Sequence, residues 1–275
     1  DGKNLLSLSE KEMRDVRGNE ISMIFQEPMT SLNPVMRVGL QVREALLLHR
    51  KVTPQEAKTE VLRIFRKVGI SEPERRYNCY PHELSGGLRQ RVMIAMAMIC
   101  RPKLVIADEP TTALDVTVEA QILQLMRALR DETGSGIVII SHNLGVIAQM
   151  CDYVYVMYAG RVVEQAETFE LFAHPSHPYT AGLMSAVASL ERGNDKLETI
   201  PGVVPNLLHL PAGCSFSPRC AKCGARCGDA VPELLPAAIR QENALCSAVI
   251  EWYTSDLSLR SAMGILQIRP DGTWK

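Results

Sequence analysis

The sequence predicts an α/β protein: a parallel sheet flanked by helices, carrying a helical insert and followed by a smaller cysteine-bearing extension. Three observations predict it. LVIAD (Leu104–Asp108), apolar up to its closing aspartate, and Ile137–Ile140 are short runs of the kind that strands covered on both faces show. Between such runs lie segments with apolar residues at helical spacing, and strands alternating with helices build parallel sheets. Near Pro175 the periodicity fades and prolines thicken, and five of the eight cysteines crowd into the C-terminal quarter of the chain.

Taken in order, Asp1-Gly2-Lys3 reads as a hairpin tip already inside a domain, so an N-terminal portion is expected upstream. Ile21–Phe25 (ISMIF) is a short buried strand that ends at Gln26, and the prolines of EPMTSLNP make the next stretch a loop. Val38, Val42, Ala45, Leu46 and His49 recur at helical spacing. Thr53-Pro54-Gln55-Glu56 then has the form of a capping box with proline at the first helical position. Val61, Leu62, Phe65 and Val68 give that helix an apolar face, and Gly69 stops it. Beyond the turn LSGGLRQR (Leu84–Arg91), Val92, Ala95, Met96 and Ile99 form a core stripe closed by Pro102.

After LVIAD, Val118, Ile122, Leu125 and Leu129 make an amphipathic helix, which Gly134-Ser135-Gly136 breaks before the Ile137–Ile140 strand. A helix at Leu144–Met150, a strand at Tyr153–Met157, a turn at Tyr158-Ala159-Gly160 and a strand at Arg161–Glu164 complete the pattern. The organisation expected is one domain over residues 1–190 with a helical subdomain at about 35–100, an extension over 191–250 and a loose tail over 251–275.

A formal charge of −1 leaves no basic footprint for nucleic acid. The longest clean apolar run, Val92–Cys100, is far short of the roughly 20 residues of a membrane span. No signal peptide is legible at the start, so a soluble or peripheral protein is expected.

The chemistry concentrates in a few places. Ser85-Gly86-Gly87 opens a helix, where unpaired N–H groups and the positive end of the helix dipole suit a phosphate. No GxxxxGK[ST] phosphate loop accompanies it. Asp108 and Glu109 close a buried strand at its carboxyl end, where open α/β sheets place ligands. An aspartate there can hold Mg²⁺, which binds few carboxylates and keeps much of its water; the adjacent glutamate can orient an attacking water. Gln26 ends another strand, and its amide can both accept from a metal-bound water and donate to it. His142 follows a third, from which Nε2 can reach a γ-phosphate.

In this order, Gln26, LSGGLRQR, LVIADEP, Ala113-Leu114-Asp115 and Ser141-His142 resemble the ATP-binding cassette family. Gln26 matches its Q-loop, Leu84–Arg91 its signature, Leu104–Glu109 its Walker B strand with the catalytic glutamate, Asp115 its D-loop and His142 its switch histidine. The resemblance implies a P-loop NTPase fold in which two cassettes pair head to tail, so that Ser85, Gly86 and Gly87, with Gln90 nearby, cap the partner's γ-phosphate. ATP and Mg²⁺ are the implied ligands, with Asp108 and Gln26 at the metal. The absent phosphate loop makes the cassette N-terminally truncated in this reading, lacking its Walker A region, and the isolated chain is then expected to bind ATP feebly.

FQEPMTSLNP (Phe25–Pro34), HPSHPYT (His174–Thr180) and IPGVVPNLLHLPAGCSFSPRC (Ile200–Cys220) are similar to the dipeptide, oligopeptide and nickel importer branch of that family. The resemblance implies an ATP-hydrolysing subunit peripheral to the cytoplasmic face of the inner membrane. Its implied partners are a second ATP-binding subunit, two permease subunits and, indirectly, a solute-binding protein, without nucleic acid. A non-hydrolysing regulatory or assembly subunit, a gene fragment and a DNA-repair-type cassette ATPase stand as alternatives. Cys214, Cys220, Cys227 and Cys246 supply the thiolates that tetrahedral zinc or a [4Fe–4S] cluster requires. The resemblance favours the cluster; Cys223, which forms Cys-x2-Cys with Cys220, keeps zinc open.

Overall fold

The computed structural model describes residues 4–112, 114–191, 199–234 and 263–267, which fall into two units, residues 1–140 and 141–270. The turn read at Asp1–Lys3, Ala113, Cys246 and most of the 251–275 tail lie outside the described residues.

The first unit opens with α1 (Glu10–Val16), a helix too short and polar to announce itself by an apolar stripe. It starts at a capping box in which the Glu12 N–H donates to the Ser9 hydroxyl and the Ser9 N–H donates to the Glu12 carboxylate. β1 (Ile21–Ile24) leads through the short α2 (Pro28–Ser31) into α3 (Val38–His49), α4 (Pro54–Lys67), α5 (Pro73–Arg76) and α6 (Gly86–Met98). β2 (Leu104–Asp108), α7 (Val116–Thr133) and β3 (Gly136–Ser141) complete the elements of this unit. β1 and β3 flank β2, all parallel, with Ile21 and Gly136 both opposite Leu104. Val105 and Ala107 on β2 are fully enclosed, and Leu104 and Ile106, which alternate with them, are half-buried, which accounts for the apolar run before Asp108.

The helical insert follows its local signals closely. Thr53 and Glu56 form the box at the start of α4 with Pro54 at the first helical position. Its end is a Schellman stop: Gly69 takes a φ of 75° and donates to Arg66, while Ile70 donates to Phe65. α6 departs from the single stripe expected. Val92, Met93, Ile94, Ala95, Ala97 and Met98 are all buried, so the helix is enclosed nearly all round.

The second unit holds α8 (Leu144–Met150), β4 (Tyr153–Tyr158), β5 (Arg161–Glu167), α9 (Thr168–Ala173), α10 (Pro178–Glu191) and β6 (Met263–Gln267). Here the parallel pattern breaks. β4 and β5 pair antiparallel across a two-residue loop, with Ala159 and Gly160 at φ of 50° and 79°, the backbone that a tight hairpin demands. β6 pairs antiparallel with the other edge of β4. α10 starts on Pro178 beyond the point where periodicity fades, because PYTAGLMSAVASLE carries too few polar residues to show a stripe.

Tyr158, Tyr179 and Phe216 form the aromatic centre of this unit, their ring centroids 4.7–5.5 Å apart. His177 lies against Phe216, its Nδ1 accepting the Tyr179 N–H at 3.1 Å. The buried Glu164 carboxylate accepts the N–H groups of Ser176 and His177 at 2.7 and 2.9 Å. Arg219 closes the cluster by donating to the carbonyls of Ile200 and Pro201, both at 2.9 Å. HPSHPYT and the start of the extension are thereby one packed piece. Burial pushes His177 down to about 3, so its ring is neutral.

Candidate functional site

The parallel pairing of β1 with β2 decides what meets at the sheet's carboxyl edge. Ile24 sits opposite Ala107, so the residues beyond, Gln26 on one strand and Asp108-Glu109 on the other, leave the sheet side by side. The Gln26 amide donates to Glu109 Oε2 at 2.7 Å, and the Thr112 hydroxyl donates to the same oxygen at 2.8 Å. The Glu109 N–H donates to the Ile140 carbonyl at 2.9 Å, continuing the β3 pairing one residue past the strand. Glu109 itself has a φ of 43°, a left-handed backbone that costs a non-glycine residue on the order of 1–2 kcal/mol. The chain accepts this strain at the residue whose carboxylate two donors orient.

Asp108 beside it is half-buried, and burial first, then the neighbouring Glu109 charge, raises its carboxyl. Two crowded carboxylates, one of them partly desolvated, are a site that a cation relieves. Mg²⁺ suits them because it takes one or two carboxylates and completes its shell with water and phosphate oxygens.

The signature turn is a helix start. Ser85 caps α6 by accepting the Leu88 N–H at 3.4 Å, and Gly86 and Gly87 are the first helical residues. The two glycines differ. A Cβ on Gly86 would meet nothing within 4 Å, whereas one on Gly87 would stand 3.0 Å from Val118 on α7. The first is open to an incoming group and the second lets α7 approach. Asp115 caps α7, its Oδ1 accepting the Val118 N–H at 2.9 Å. Gln90 points inward: 2 % exposed, it donates to the Pro110 carbonyl at 2.5 Å and ties α6 to the loop after β2. His142 belongs to the second unit, exposed, one residue before Asn143, which caps α8.

The structure therefore brings Gln26, Asp108 and Glu109 together and joins the Ser85-Gly86-Gly87 turn to the helix that Asp115 starts. It adds Thr112, which sequence reasoning missed. The available signal was a hydroxyl three residues after Glu109 in a turn, close enough to return to it.

The metal centre expected at the cysteines is corrected. Among the described residues no group of three or more His, Cys, Asp or Glu is placed to hold a metal ion, and Cys246 lies outside them. Metal ligation needs thiolates converging on one point, and of the described cysteines Cys214 and Cys227 are buried while Cys223 is exposed. Neither the [4Fe–4S] cluster nor zinc is retained.

The ABC transporter family matches residues 1–112, and the family described as the oligopeptide/dipeptide transporter C-terminal region matches residues 163–227. The probable peptide ABC transporter ATP-binding protein y4tR of Sinorhizobium fredii is 55 % identical over 234 residues, covering 85 % of this chain and 70 % of that protein. The oligopeptide transport ATP-binding protein OppD of Haemophilus influenzae is 53 % identical over 227 residues, 82 % of this chain and 70 % of that protein. Among solved structures, CbiO1 from Clostridium perfringens, part of the ABC transporter complex CbiONQ, aligns with a TM-score of 0.52 at 30 % identity, over 60 % of this chain and 64 % of that one.

The first match corrects another expectation. It begins at residue 1, so the reading of a cassette truncated at its N-terminus, without its Walker A region, is overturned. The missing string GxxxxGK[ST] carries less weight than that reading gave it, because a domain is identified by its whole succession of elements and motifs. No helix among the described residues is long and apolar enough to cross a membrane.

Proposed function

Because the chain belongs to the ATP-binding subunits of the oligopeptide/dipeptide ABC transporters, we propose that it binds and hydrolyses ATP to drive peptide import through a membrane permease. One observation carries the reading at the level of chemistry: the Gln26 amide donates to the Glu109 carboxylate at 2.7 Å. Glu109, oriented by Gln26 and Thr112, positions the attacking water and accepts its proton. Asp108 and Gln26 would hold Mg²⁺, which supplies neutralisation of phosphate charge. Ser85, Gly86 and Gly87 present backbone N–H groups to the γ-phosphate on a second ATP-binding subunit.

Phe25 just before Gln26, and Met29 and Val35 in the stretch after it, are exposed. With the helical insert, that stretch faces the permease at the cytoplasmic side of the membrane, and Gln26 links it to the hydrolytic carboxylate. The solute-binding protein reaches this subunit only through the permease.

The test uses the subunit assembled with its permease in proteoliposomes supplied with peptide and binding protein. Glu109→Gln should lower ATP hydrolysis and uptake together by about 10²-fold or more while nucleotide still binds. Hydrolysis that survives the substitution overturns the role of Glu109. Wild-type complex that hydrolyses ATP without moving peptide overturns the transport reading.

A further inference from the structure

The signature stretch ends in Arg91, a residue to which the proposed chemistry gives no task, yet its guanidinium holds three elements. Nη1 donates to the Val68 carbonyl at 2.6 Å, and Nη2 donates to Gln121 Oε1 at 2.9 Å. Val68 is the cap of α4, whose last carbonyls have no partner inside the helix and carry the negative end of its dipole. Gln121 lies on α7, the helix capped by Asp115 whose Val118 packs on Gly87. Gly69 makes room for this join. A Cβ there would stand 2.8 Å from Arg91 Nη1, so glycine serves both the Schellman stop and the approach of the guanidinium.

A second tie joins the same helices, the Lys67–Glu132 ion pair. Its acid is half-exposed, and a pair so placed is screened and holds little. Arg91 is the firmer join because its planar fork meets two acceptors at once, which a lysine ammonium cannot do with the same geometry.

We infer that Arg91 is a positioning residue that fastens the phosphate-capping turn, within the helical insert, to the end of α4 and to α7, so that movement of α4 carries Ser85-Gly86-Gly87 with it. The insert is the part assigned to the permease and the turn the part assigned to the partner's phosphate. The join is then the mechanical link between them. In this sense the inference rests on the function proposed above, although the join itself can be tested without it.

The first measurement is hydrogen exchange on the full chain. Arg91→Lys should speed exchange on the order of tenfold both at Gly69 and Ile70 and at Leu88 and Arg89. Unchanged exchange at either place overturns the join, whatever the protein transports.

The second is a double-mutant cycle in the assembled importer with Arg91→Lys and Gln121→Leu. Arg91→Lys should lower kcat about tenfold with the KM for ATP held within about twofold, and should lower peptide moved per ATP hydrolysed. Gln121→Leu should give part of that loss, and the double variant no more than Arg91→Lys alone. Additive losses, an unchanged ratio of transport to hydrolysis, or a kcat loss matched by loss of folded protein overturn the inference. If Glu109→Gln leaves hydrolysis intact in the same preparation, the proposed function fails instead, and exchange at the two turns still decides the join.

Discussion

At the end of β2 two carboxylates stand side by side and partly open to solvent, whereas around His177 in the second unit the polar groups are enclosed by aromatic rings. Both arrangements put polar atoms where water is scarce, and they resolve the cost differently. At β2 the two carboxylates are held beside each other: Asp108 is raised by burial and by Glu109, and Glu109 accepts strain and two donors on one oxygen. At His177 the charge is given up. The ring is 1 % exposed and neutral, and its Nε2, like Thr180 Oγ1 and Ser215 Oγ, has no hydrogen-bond partner. The first arrangement is left for a ligand to complete, and the second holds chain to chain.

The difference implies that damage to the second cluster appears as lost stability and damage to the first as lost turnover. Phe216→Ala gives the largest effect on stability. It removes the ring that both tyrosines and His177 touch, and a cavity of that size costs about 3–5 kcal/mol. Denaturant unfolding followed in the second unit should show it. A loss under about 1 kcal/mol would mean that the cluster repacks and is no clasp.

The neutral histidine makes a prediction in pH. Its folded value is about 3 and its unfolded value about 6.5. Between these the unfolded chain binds a proton that the folded chain refuses, so stability is full above the upper value and falls as pH drops towards the lower one. The slope from this group is about 1.4 kcal/mol per pH unit. His177→Asn keeps a side-chain acceptor for the Tyr179 N–H and cannot titrate, so it should flatten the acid limb. A limb unchanged by the substitution would assign the acid sensitivity elsewhere.

In the first unit the matching experiment is Thr112→Val, which keeps the shape and removes the donor to Glu109. With Gln26 still in place, kcat should fall about tenfold, the worth of one hydrogen bond to a charged group. Stability should stay within about 0.5 kcal/mol. A variant that unfolds instead would move Thr112 from orienting the carboxylate to holding the loop.

What could be read from residues divides along similar lines. The α4 box, the Gly69 stop, LVIAD and the Gln26 and Glu109 positions were legible because each rests on local geometry or on one strand's burial. The contact between Gln26 and Glu109 was not, since it depends on which strands are neighbours. The turn of β4 into β5 was legible at Tyr158-Ala159-Gly160, and two strands joined by so short a turn can pair only antiparallel. Gln90 shows the limit of a motif in the opposite way. Its place in the motif suggested a phosphate, and burial sends it to the Pro110 carbonyl. The cysteines misled because spacing counts thiols without placing them.

Gly160 in the β4–β5 loop offers the smallest effect and the cleanest contrast with Glu109. Both residues have positive φ, 79° and 43°. At Gly160 an added Cβ would meet nothing within 4 Å, so Gly160→Ala introduces backbone strain alone. The expected cost is about 1 kcal/mol, the penalty of a left-handed alanine against a glycine that loses more freedom on folding. ATP hydrolysis in the assembled complex should not change, because this loop carries no group of the candidate site. Strain of the same kind at Glu109 is kept in the native chain. Were Gly160→Ala to slow hydrolysis as much as Thr112→Val does, the division between a unit that holds and an edge that reacts would be drawn in the wrong place.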